Sequence, residues 1–160
     1  MLYIRYLITG LIILLLSIAV VPLMSISQIT PDLMLIFVVY VALKNGQIAG
    51  SIAGFISGLL LDYTVDFTPG LSALSKTICG FIAGFFYDEA KIDVNTGTFR
   101  FPQIVFLCSV VNNAVYFSVD ILGREFETSE IIKILIGGAI YTTILSLVPI
   151  FATSRRSHIL

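Results

Sequence analysis

Three ionisable side chains fall inside long apolar runs: Asp62, Lys76 and Asp120. A charge at membrane depth costs about 2.5–3.5 kcal/mol on insertion scales, so such a residue pairs, reaches for an interface or lines a solute path. The long stem of Lys76 can snorkel outward; the short stems of Asp62 and Asp120 do so less well. The helix dipole disfavours all three, because the carboxylates lie near carboxyl ends and the ammonium near an amino end, at about 0.3–1 kcal/mol each. Pairing Asp62 with Lys76 across consecutive antiparallel segments offsets both penalties and is the favoured reading. Snorkelling and a transport site are the alternatives. Asn113, Tyr116 and Asp120 recur at i, i+3 and i+7, which places them on one helix face. Asn112 and Asn113 are amides near mid-membrane, suited to joining helices or to coordinating a solute. Thr142 and Thr143 can bond their own backbone and signal little.

Nothing else in the chain suggests catalysis. His158 is the sole histidine, and the two cysteines, Cys79 and Cys108, lie inside apolar segments where a small packing residue is expected rather than a disulfide. No metal-ligand spacing, phosphate-binding loop or nucleophile motif is present. The expectation is therefore no catalytic residue, no metal and no cofactor. A net charge of −1 offers no basic patch for nucleic acid.

These polar residues must be held by membrane helices. Hydrophobic residues make up 58% of the chain, the mean hydropathy is +1.02, and charged residues are only 12%, against about 25% in a soluble domain. The fold class is an all-α integral membrane protein, with the lipid bilayer as its solvent. A single polytopic membrane domain is expected over residues 1–160. Its six apolar segments run from about 4 to 24, 30 to 44, 46 to 65, 71 to 88, 101 to 122 and 131 to 152. The second is short: Pro31 suits a first helical turn, Thr30 is a candidate N-cap, and Lys44-Asn45-Gly46 ends the run. A very tight turn would then join segments two and three; a buried half-helix with five spans is the alternative. The first segment resembles a signal peptide, but it lacks a small-x-small cleavage site and is read as a membrane helix.

With the amino end in the cytoplasm, Arg5, Lys44, Lys91, Arg100, Arg155 and Arg156 lie inside, and Arg124 and Lys133 outside. That asymmetry predicts a multi-pass plasma-membrane protein with both termini cytoplasmic. The inner loop from Asp88 to Arg100 carries an Asn95-Thr96-Gly97 turn signal, and the outer loop from Gly123 to Glu130 is acidic.

Gly46, Gly50, Gly54 and Gly58 step by four towards Asp62; Lys76, Gly80, Gly84 and Asp88 repeat the step in the next segment. Glycine weakens a helix in water by about 1 kcal/mol, yet in lipid small residues let two backbones approach closely. Packing within this chain is the favoured use of these glycines, over a surface for a partner helix.

The stretch from Pro31 to Gly84 resembles the rod shape-determining protein MreD family. The features are Pro31-Asp32-Leu33, the run Gly50 to Asp62, Pro69-Gly70-Leu71 and Gly80-Phe81-Ile82-Ala83-Gly84. The resemblance implies a non-enzymatic scaffold of the bacterial cell-elongation (rod) complex, involved in cell shape and lateral peptidoglycan synthesis. The implied partners are an MreC-like single-span protein, an MreB-like filament, a penicillin-binding protein and other rod-complex membrane proteins. The family's fold is similar to that of the substrate-binding subunits of energy-coupling-factor transporters. A vitamin-binding transporter subunit is therefore the alternative, with Asp62, Lys76, Asn113, Tyr116 and Asp120 as its candidate cavity. Against that alternative, the first segment lacks the Ala-x-x-x-Ala ladder with which such subunits dock. A small proton-coupled exporter using Asp62 or Asp120 is a third reading.

Overall fold

The computed structural model describes residues 2–20, 23, 30–64, 70–120 and 128–148. Its regular elements are α1 (Leu2–Val20), α2 (Leu33–Thr64), α3 (Leu71–Gly84), a 3-10 turn at Glu89–Lys91, α4 (Ile92–Gly97), α5 (Arg100–Asp120) and α6 (Thr128–Leu145). All are helical, as a chain this apolar requires: in lipid the backbone groups must be satisfied within each segment. Arg124 and most of the outer loop, Arg155, Arg156 and His158 lie outside the described residues.

α2 is a hairpin rather than a rod. Gly46 has φ 87° and ψ −175°, a conformation that breaks the helical ladder and that a side chain rarely tolerates. In a straight helix residues eight apart are about 12 Å apart, yet a Cβ built at Gly50 would come 3.0 Å from Ala42 Cα. The chain therefore reverses at Gly46, and residues 33–45 lie against residues 47–64. The first limb is buried on almost every side, through Met34, Leu35, Val38, Val39, Ala42 and Leu43. It starts differently from the sequence expectation. Asp32 takes the capping role assigned to Thr30, because its Oδ1 accepts the Leu35 N–H at 2.9 Å.

The second limb makes the closest helix contact in the fold, against α3. A Cβ at Gly50 would overlap the Gly80 carbonyl, one at Gly54 the Lys76 carbonyl, and one at Gly58 the backbone of Ser72 and Ala73. Gly80 and Gly84 meet the backbone of Gly50 and Gln47 in return. Three layers result: the first limb of α2 in the centre with Cys79 and Ala83 of α3 and Phe101, Val105 and Cys108 of α5 against it, the second limb beside it, and α1 outside. α1 meets the hairpin where Leu14 packs with Met34, Phe37 and Val41. The outward faces, including Leu7, Leu11 and Leu15 on α1 and Ile52, Phe55 and Leu59 on α2, are exposed and apolar, as a lipid-facing surface is.

Two boundaries differ from expectation. The fourth segment ends at Gly84 instead of residue 88. The turn signal at Asn95-Thr96-Gly97 lies within α4, where Asn95 Nδ2 donates to the Phe86 carbonyl at 2.8 Å and holds the short helix under the bundle.

Candidate functional site

The site is assembled around Asp32. Its Oδ2 lies 2.8 Å from Lys76 Nζ, its Oδ1 caps α2, and its backbone N–H donates to Thr142 Oγ1 at 3.1 Å. One residue thus ties the start of α2 to α3 and α6. The limb it caps has a length of about 20 Å at 1.5 Å per residue, short of the ~30 Å hydrocarbon core. Lys76 is 3% exposed and Asp32 22%, so the pair is open from the aspartate side. Gly54 sets the lysine's position by letting the α2 backbone touch the Lys76 carbonyl.

Asp62 does not pair with Lys76. Its Oδ2 accepts the N–H groups of Gly70 at 2.9 Å and Ala73 at 3.1 Å, and its Oδ1 that of Ser72 at 3.0 Å. The opening donors of α3 therefore satisfy this carboxylate without a cation. The dipole argument changes with the helix considered: Asp62 is badly placed at the end of its own helix but well placed at the amino end of the next. Lys76, unfavourable near that same end, is compensated by Asp32 from another element.

α3 and α5 run antiparallel and join through two free thiols. Cys79 Sγ donates to the Cys108 carbonyl at 3.1 Å and Cys108 Sγ to the Cys79 carbonyl at 3.7 Å. One turn along each helix from this contact are Ser75 and Lys76 on α3 and Asn112 on α5. Asn112 is buried, and its Oδ1 has no hydrogen-bond partner. Leaving a buried acceptor unpaired costs about 1–3 kcal/mol, so the atom is a candidate contact for a bound solute. Asn113 has a joining role: its Nδ2 donates to the Leu135 carbonyl on α6 at 3.0 Å, and Gly138 leaves room for it. Thr143 bonds its own helix at the Ala139 carbonyl, as expected, whereas Thr142 accepts from Asp32. Asp120 closes α5, and its side chain lies outside the described residues.

The structure thus brings Asp32, Lys76 and Thr142 together, with Asn112 one turn along α5 from the Cys108 contact with α3. Asp32 as the ion-pair partner and Thr142 as its support escaped the sequence reading. The available signal for Asp32 was a capping residue ahead of an apolar run too short to cross the bilayer. Among the described residues no group of acidic, cysteine or histidine side chains could hold a metal.

Comparison with known families finds a match to the family model of the ECF-type riboflavin transporter, S component, over residues 6–152. No curated protein matches, and no solved structure matches. The family match spans nearly the whole chain, and it overturns the MreD resemblance of residues 31–84. With that resemblance go the cell-shape scaffold, the role in lateral peptidoglycan synthesis and the MreC-like, MreB-like and penicillin-binding partners. The physical reason is visible between α2 and α3: the glycine ladder serves their mutual approach, and any tightly packed membrane hairpin needs the same spacing. S components are substrate-binding subunits of the plasma membrane, not enzymes, and they work with the A and T components of the transporter. Matched from residue 6 to residue 152, the chain belongs to the family of ECF-type riboflavin transporter S components.

Proposed function

We propose that this chain captures riboflavin in the outer half of the plasma membrane and hands it to the A and T components of an energy-coupling-factor transporter. The observation that carries the reading is the buried, unpartnered Oδ1 of Asn112, one turn along α5 from the Cys79–Cys108 contact with α3, the helix whose Lys76 pairs with Asp32. That pair lies at the amino end of a helix limb too short to cross the hydrocarbon core, a setting in which transporters build solute sites. The isoalloxazine ring presents an imide N–H flanked by two carbonyls. Asn112 Oδ1 supplies the acceptor for the N–H, and the Lys76 ammonium supplies a donor for a carbonyl. Asp32 keeps the site neutral overall, as an uncharged vitamin requires.

The architecture that goes with this function is one domain of six membrane segments, counting residues 33–45 and 47–64 separately. Both termini are cytoplasmic by the distribution of basic residues. The site then opens outward, above Asp32.

Riboflavin fluorescence is quenched on burial, and titration of the purified full-length chain in detergent tests the proposal. Saturable quenching is expected, lost in Asn112→Leu and Lys76→Met. A folded wild-type chain that leaves the vitamin's fluorescence unchanged would overturn it. Reporter fusions at Met1 and Leu160 test the topology, and an external reading at either end rejects it.

A further inference from the structure

Ser17 on α1 is 9% exposed, and its Oγ has no hydrogen-bond partner. A hydroxyl buried in an apolar helix ordinarily bonds the carbonyl four residues back. Thr9, Thr64, Thr77, Ser118 and Thr143 of this chain all do so, at 2.6–2.8 Å. The Ile13 carbonyl offers Ser17 the same bond, and it is not made. The hydroxyl is turned away from its own helix and keeps a donor and two acceptor sites free.

Ser17 faces the start of α2. Gly10, Leu14 and Ser17 recur at i, i+4 and i+7, on one face of α1. On that face a Cβ at Gly10 would come 3.1 Å from the Phe37 ring, and Leu14 packs with Met34, Phe37 and Val41. α1 and the first limb run antiparallel: Leu7 and Leu11 share a groove with Asn45 and Ile48 near the Gly46 turn, whereas Leu14 lies with Met34. Measured from the contact of Gly10 with Phe37, Ser17 lies about 10 Å further along α1, and Asp32 about 8 Å back from Phe37, in the same direction. The Ser17 hydroxyl and the Asp32 carboxylate therefore stand within about one helical turn in height, at the end of the bundle where the Asp32–Lys76 pair is open.

We infer that Ser17 Oγ recognises the polyol chain of riboflavin and so distinguishes the vitamin from its bare ring system. The inference rests on the riboflavin reading above, in which Asn112 and Lys76 meet the imide edge of the ring. The ribityl chain leaves the central ring and carries neutral hydroxyls. A serine hydroxyl donates and accepts, so it matches such a chain without adding charge. The exposed side of the Asp32 carboxylate is an acceptor for a second hydroxyl of the same chain. A site built to bond a substrate hydroxyl rejects the analogue that lacks it, because its own buried polar group is then left unpaired.

Lumiflavin has the same ring with a methyl group in place of the ribityl chain, and its fluorescence reads binding in the same way. Titration of the purified full-length chain with each compound tests the inference. The wild-type chain is expected to bind riboflavin roughly tenfold or more tightly than lumiflavin. Ser17→Ala should weaken riboflavin binding about three- to tenfold and leave lumiflavin binding unchanged. The melting temperature should also hold, since the hydroxyl bonds nothing in the free chain. Equal wild-type affinity for the two compounds overturns the inference without need of a variant. So does Ser17→Ala with unaltered riboflavin affinity, or with equal losses for both compounds, which would mark a packing role alone. A wild-type chain that quenches neither compound overturns the riboflavin reading and this inference with it, whereas quenching that Ser17→Ala leaves undisturbed overturns only the role of Ser17.

Discussion

Lys76 Nζ lies 2.8 Å from Asp32 Oδ2, joining the middle of α3 to the first residue before α2. The contact bridges 44 positions of sequence and fixes the height at which the short limb of α2 stops in the bundle. Removing one partner strands the other charge in a buried setting, which costs about 3–5 kcal/mol; removing both together costs much less. Asp32→Asn keeps a cap for the Leu35 N–H and so isolates the charge. Asp32→Asn and Lys76→Met are each expected to lower thermal stability in detergent more than the double variant does. Cys79 and Cys108 are the only cysteines and both are buried, so a thiol-reactive dye reports unfolding without labelling the native state. Additive losses would exclude the coupling.

Asp62 behaves differently because its partners are backbone groups. It accepts three N–H groups of the turn into α3, and an asparagine offers one oxygen where the carboxylate offers two. Asp62→Asn is expected to cost about 1–3 kcal/mol, and Asp62→Ala more. Either change should add to Lys76→Met, since the two side chains share no partner. Dye-monitored melting of the single and double variants checks this; a strong coupling between positions 62 and 76 would contradict the geometry.

The glycine ladder predicts a graded steric series. Gly54→Leu and Gly58→Leu drive a side chain into the backbone of α3, which cannot yield as a flexible side chain can. Both proteins should fall sharply in membrane abundance. Gly97→Ala, where nothing lies within 4 Å of the added carbon, serves as the tolerated control. Immunoblots of membrane fractions suffice. Normal abundance of the leucine variants would mean that α2 and α3 pack less closely than described.

The helical class and the close approach of the third and fourth segments were legible in the sequence, because composition and four-residue spacing are local properties. The tight turn was legible too: Lys44-Asn45-Gly46 interrupts the apolar run, and Gly46 supplies the positive φ. The pairing of charges was not. Depth along an axis is readable from a segment, but azimuth is not, and Lys76 turns towards Asp32 rather than Asp62. Asp32 reads locally as a helix-capping residue at the start of the second segment, and nothing in its position along the chain says that its second oxygen meets Lys76. The family was misjudged for a related reason. Glycine spacing reports packing and was read as identity, and the missing Ala-x-x-x-Ala ladder in the first segment weighed too heavily against the transporter subunit, which the match over residues 6–152 supports.

Asn112 separates stability from function. Its Oδ1 is buried without a partner, a cost of about 1–3 kcal/mol that a donor on a bound solute would relieve. Leucine has the same branched outline, with methyl groups where asparagine has its amide oxygen and nitrogen, and no acceptor. Asn112→Leu is therefore expected to leave the melting temperature unchanged or raise it, while riboflavin binding weakens about 10- to 100-fold, the same 1–3 kcal/mol now lost from the complex. Asn113→Leu, which cuts the hydrogen bond to Leu135, should do the reverse and lower stability with a smaller effect on affinity. Melting and fluorescence titration on both variants decide the matter. If Asn112→Leu destabilises the chain and binds the vitamin normally, Oδ1 has a structural partner in solution and the site lies elsewhere.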